Sequence, residues 1–114
     1  MTYINFEAGN KSYKLRLTTG ATVALEKTLG CNPISIFGNG DKLPTITTMV
    51  AILHAAMQPY QHNITLQNAY DIFDEWLDDG HVMTDFLPVI VDIFKASGFM
   101  REENRIAEDN EKNA

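Results

Sequence analysis

The chain has 1 cysteine, Cys31, in 114 residues, which excludes an internal disulfide and any cysteine-based metal cluster. No histidine stands near it in sequence to activate the thiol, so Cys31 reads as a small apolar filler after a helix. Long hydrophobic runs are also missing. The longest strongly apolar stretch, around Met49 to Met57, is interrupted by His54 and falls well short of the roughly 20 residues a membrane-spanning helix needs. The start, MTYINFEAG, has neither a basic opening nor an apolar segment with a cleavage site, so no secretory signal is expected and the chain is expected in the cytoplasm. The N-x-[ST] sequons at Asn10 and Asn63 then read as turn chemistry rather than glycan acceptors. Positive charge is scarce: 9 Lys and Arg against 15 Asp and Glu leave a formal net charge of -6, and the cations are scattered. That balance argues against nucleic acid, whose backbone is bound by clustered cations.

What is present supports one packed domain. Hydrophobic residues make up 45% of the chain, and its length suffices for a single core. TYINFE and SYKLRL alternate apolar and polar residues around Gly9-Asn10, a dipeptide suited to a two-residue hairpin turn. Counting outward from the turn pairs Phe6 with Tyr13, Ile4 with Leu15 and Thr2 with Leu17 on one face, with Asn5, Glu7 and Lys14 on the other. A hairpin alone is marginal, so it must lie on helices, and its outer edges would offer unpaired backbone groups. The first helix is expected after a Thr18 or Thr19 cap and stops at Gly30, and NPISIFG then makes one short helical turn after an Asn32 cap. GNGDKLP reads as a mobile loop.

Thr45 caps a second long helix with Ile46, Met49, Val50, Leu53, Ala56 and Met57 on one buried stripe. Thr65 caps a third, whose apolar face is Leu66, Ala69, Tyr70, Phe73, Trp76 and Leu77, with Asp71, Asp74, Glu75 and Asp78 toward water. Tyr70, Phe73 and Trp76 read as core aromatics by their helical spacing. A fourth helix restarts at Thr84 and Asp85, buries Leu87, Ile90, Val91 and Phe94 with help from Phe86 and Ile93, and ends at Gly98. The fold class is therefore α+β and mostly α: an N-terminal β-hairpin packed on about four helices over residues 1–100. A charged tail, 101–114, has too little apolar surface to order by itself.

The acidic stretch DIFDEWLDDGHVMTDFL resembles a calcium loop only at first sight. With Gly80 at the sharp turn, the ligand positions become Glu75, Leu77, Asp79, His81, Met83 and Phe86, too few oxygens for a hard cation. Gly80 reads instead as the left-handed stop of the third helix, and Asp78 and Asp79 as a solvated corner. His54, His62 and His81 lack the close spacing of a zinc site, and no metal or cofactor is expected. The acids lie on solvated faces and no nucleophile signature such as G-x-S-x-G is present, so the sequence argues against an enzyme. Phe37, Tyr60, Phe99 and Met100 lie at element ends or in connections, where a large apolar group is most easily offered to a partner.

The order of elements carries a resemblance. GNKSYKLRLTTGATVALEKTLGCNP, followed by helices holding DIFDEWLDDGHVMTDFLPVIVDIFKASGF, looks like the small tail assembly chaperones of long-tailed bacteriophages, over Tyr3 to about Met100. The resemblance implies a non-enzymatic protein that coats the helical tape measure protein in the host bacterial cytoplasm and is absent from the mature virion. It also implies a possible longer, frameshifted form that recruits tail tube protein, and self-association into a homo-oligomer. Neither a membrane nor nucleic acid is implied as a partner. The alternative is a small intracellular regulator or adaptor module that binds one folded protein partner.

Overall fold

The computed structural model describes residues 2–38 and 43–101. The expectations for the loop at 39–42 and for the tail from 102 onward lie outside the described residues. An antiparallel hairpin, β1 (Ile4–Ala8) and β2 (Lys11–Leu15), opens the fold. Helices α1 (Thr19–Leu29), α2 (Ile46–Met57), α3 (Leu66–Asp78) and α4 (Phe86–Ala96) follow, with a 3-10 turn at Pro33–Gly38 and another at Met83–Asp85. The α+β, mostly helical class read from the sequence is the architecture observed.

The hairpin turns at Gly9-Asn10 with Gly9 at φ 62°, and Ile4 pairs with Leu15 and Phe6 with Tyr13, as the alternation dictates. Thr2 and Leu17 do not continue the ladder. Beyond Leu15 the chain turns its amides to helices: Arg16 N–H donates to the Ala56 carbonyl at 3.0 Å and Leu17 N–H to Ser97 Oγ at 2.8 Å. The β2 edge is covered at Lys14 as well. The Gln61 side chain receives the Lys14 N–H at Oε1 and donates from Nε2 to the Lys14 carbonyl, both at 2.9 Å, as a neighbouring strand would.

Three caps fall where the hydroxyls predict, while α4 begins at Phe86, after a 3-10 turn through Thr84 and Asp85, with no side-chain cap. Thr18, Thr45 and Thr65 each accept a backbone N–H from the first turn of the following helix, and Asn68 completes a reciprocal box with Thr65. Gly30 and Gly80 adopt the positive φ their stop positions require. Cys31, placed just past Gly30, is exposed rather than a filler, and Pro33 is the buried side chain of that junction.

Three helices differ from their predicted faces because their neighbours, not their own period, decide burial. Helix α2 is central: Ala51, Ile52 and Ala55 are buried along with the expected stripe, while Ile46 in its first turn stands exposed. Helix α3 buries Ala69, Ile72, Phe73 and Trp76, leaving Leu66 and Tyr70 exposed, so its inward face is rotated away from the predicted one. In α4 the inner row is Phe86, Ile90, Ile93 and Phe94, and Leu87 and Val91 are half-buried. The rings of Phe6, Phe73, Trp76 and Phe86 pack with centroids 5.3 to 5.9 Å apart, joining hairpin, α3 and α4.

Candidate functional site

The residues singled out for partner contact are placed in two groups. The Phe37 ring meets Phe94 edge-on at 5.8 Å, and Phe99 meets the same ring at 5.9 Å. Phe37 keeps 39% of its surface exposed, whereas Phe99 is half-buried against the core and its N–H bonds the Phe94 carbonyl. Met100, next in the chain, is exposed. Tyr60 packs elsewhere, edge-on to Tyr3 at 5.5 Å, and the Lys14 ammonium lies 5.0 Å from the Tyr3 ring centre.

A second apolar surface was not anticipated. Helices α1, α2 and α3 enclose a groove of about 280 Å³. Its α1 wall is Ala21, Ala24, Leu25 and Thr28, three or four residues apart and so on one face. The α2 wall repeats the pattern with Thr47, Ala51, Ala55 and Gln58 beside His54. Leu66 and Tyr70 close the third side, 43% and 38% exposed. The groove exists because α1 and α2 face each other with small side chains, and α1 buries only Leu25. Alanine-on-alanine contact leaves space that leucine would have filled. The signal available in the sequence was the alanine spacing on two helices, read together.

Of the polar side chains at the groove, Thr28, His54 and Gln58 bond backbone carbonyls. His54 Nε2 lies 3.0 Å from the Ile64 carbonyl oxygen, which also accepts from Gln58 Nε2 at 3.0 Å. That contact puts the ring proton on Nε2 and ties α2 to the linker before α3. Around it the linker turns through Asn63, at φ 63°, in keeping with turn chemistry at that asparagine. Among the described residues no group of three or more His, Cys, Asp or Glu is arranged to hold a metal ion, and no helix is long and apolar enough to cross a membrane.

The acidic corner at the end of α3 has a structural role the sequence reading missed. Asp79 Oδ2 accepts the Gly9 N–H at 2.8 Å, pinning the hairpin turn to the helix end. Glu75 approaches the same turn so closely that a Cβ on Gly9 would stand 2.6 Å from its Oε2. Next to it, Tyr13 has its hydroxyl pushed above its ordinary value by burial, reinforced by the Glu75 carboxylate. At the next junction the imidazole of His81 stacks on Trp76 at 4.4 Å and 7°, and Asp85 Oδ2 accepts the Val82 N–H at 3.0 Å to begin the helical turn that follows.

Comparison with curated proteins and with solved structures yields no match. A family model does match, over residues 4–113, and so spans hairpin, helices and groove together. The chain belongs to that family, described as a family of unknown function, DUF6096.

Proposed function

We propose that the chain is a non-enzymatic tail assembly chaperone that binds and coats the tape measure protein of a long-tailed bacteriophage. The observation that carries the reading is the apolar groove between α1, α2 and α3, open at Leu66 and Tyr70. Its support from sequence is the resemblance over Tyr3 to Met100. A tape measure protein awaiting its tube exposes long amphipathic helices, and a helix laid into an apolar groove is a recurrent mode of recognition. The net charge of -6 keeps a coated complex soluble. Many copies along one helix bind by avidity, so each contact can stay weak enough to release when tube subunits arrive. Self-association of neighbouring copies, action in the host cytoplasm and recruitment of tail tube protein by a longer product belong to the same proposal.

The test is stoichiometry. Purified chain is mixed with tape measure fragments of increasing length, and the complexes are weighed by light scattering. Copies per fragment should rise with fragment length. A fixed one-to-one complex at every length would contradict the coat and favour an adaptor for one partner.

A further inference from the structure

We infer that the groove receives an amphipathic helix whose flank lying over α3 carries Lys or Arg side chains. The inference rests on the reading that the chain handles extended helical partners, and it names what such a partner must present. The first argument is shape. From Ala21 to Thr28 the α1 wall runs about 10 Å, and from Thr47 to Gln58 the α2 wall runs about 16 Å, at the rise of an α-helix. A trough of two to three turns matches a helix segment better than a compact ligand, and the small side chains of Ala24, Ala51 and Ala55 give it depth.

The second argument is charge. Asp74 follows Tyr70 by four residues and Asp78 follows Asp74 by four, so an exposed carboxylate row continues the ridge that Leu66 and Tyr70 begin. Helix α3 contains no Lys or Arg to neutralise that row. On the opposite rim, Lys27 follows Ala24 by three residues and is exposed. The two rims therefore differ in sign, and a docked helix is read for polarity: cations over α3, acidic or neutral residues over α1. Such rim charges steer the approach and orientation of the docked helix, and two carboxylates on one flank add a modest gain in affinity.

The experiment uses the full chain and two synthetic helical peptides with the same apolar stripe, one flanked by Lys and the other by Glu, followed by fluorescence anisotropy. The Lys peptide should bind about tenfold more tightly, a gap that narrows in high salt and closes in the Asp74→Asn, Asp78→Asn double variant. Ala24→Phe fills the groove from an exposed position, and should abolish binding of both peptides while leaving thermal unfolding unchanged. Leu66→Ser should weaken both. Equal affinity for the two peptides, or binding indifferent to Ala24→Phe, would overturn the inference. So would a dimer of the chain alone that Ala24→Phe converts to monomer, because a second copy would then own the groove. Tape measure fragments that still coat Ala24→Phe would remove the groove and leave the chaperone reading standing. A chain that takes the Lys peptide and ignores tape measure fragments would do the reverse.

Discussion

The hairpin, α3 and α4 are held by a cluster of four aromatic rings, with backbone amides of the hairpin turn and exit tied to Asp79 and Ser97. Helix α1, in contrast, buries Leu25 and otherwise meets α2 through alanines and threonines around an open groove. The aromatic side uses the rings of Phe6, Phe73, Trp76 and Phe86 for closure; the α1 side leaves Leu66 and Tyr70 beside open space. On the proposed docking mode, stability and binding surface are separated, and a partner seated or released at α1 would not disturb what keeps the chain folded.

The contrast is broken most directly at Trp76. Trp76→Ala removes a ring that is 4% exposed and contacts Phe6, Phe73 and Phe86, and should cost about 3–5 kcal/mol in denaturant unfolding. A loss below about 1 kcal/mol would show that the ring is not part of the closed side. Ser97→Ala deprives the buried Leu17 amide of its acceptor and should cost about 1–3 kcal/mol.

Gly9→Ala should cost about 1–2 kcal/mol because its φ of 62° is left-handed. Adding Glu75→Ala should recover little of that loss, since the carboxylate can swing aside while the backbone strain stays. Full recovery would place the cost in the clash instead. On the open side, Leu66→Ala should change stability by no more than about 0.5 kcal/mol while weakening helix binding, a split that melting curves and titrations read separately.

The smallest effect is a pH dependence. Tyr13 has its hydroxyl raised in the folded state, so the neutral form is favoured by folding. Its contribution is complete below the unfolded value of about 10 and is lost as pH rises through the folded one. Melting temperatures should fall more steeply above about pH 10 for the native chain than for Tyr13→Phe.

The elements themselves were legible because local chemistry decides them. A Gly-Asn turn sets the hairpin register, threonine hydroxyls start three helices, and glycines that tolerate positive φ end two of those, α1 and α3. The rotation of α3 was not legible. Leu66 and Tyr70 share the period of Phe73 and Trp76, yet they border the groove, where mostly small side chains of α1 and α2 stand opposite and leave them uncovered. For the same reason the groove escaped notice, being built from small residues on helices far apart in sequence. Of the contact residues expected, Phe37, Tyr60 and Met100 stay open, and Phe99 turns back onto Phe94. Hydroxyls and glycines act on the turn they occupy, whereas burial depends on what a distant segment places opposite.

The central claim is that binding occurs on the α1 side and leaves the aromatic side undisturbed. It is tested most directly by amide chemical-shift mapping of the full chain titrated with the Lys-flanked helix. Perturbations should centre on Ala24, Thr28, Ala55, Leu66 and Tyr70, with Phe6, Phe86 and the Trp76 indole unmoved. Shifts centred on Phe37, Phe99 and Met100, or spread through the hairpin, would contradict the account.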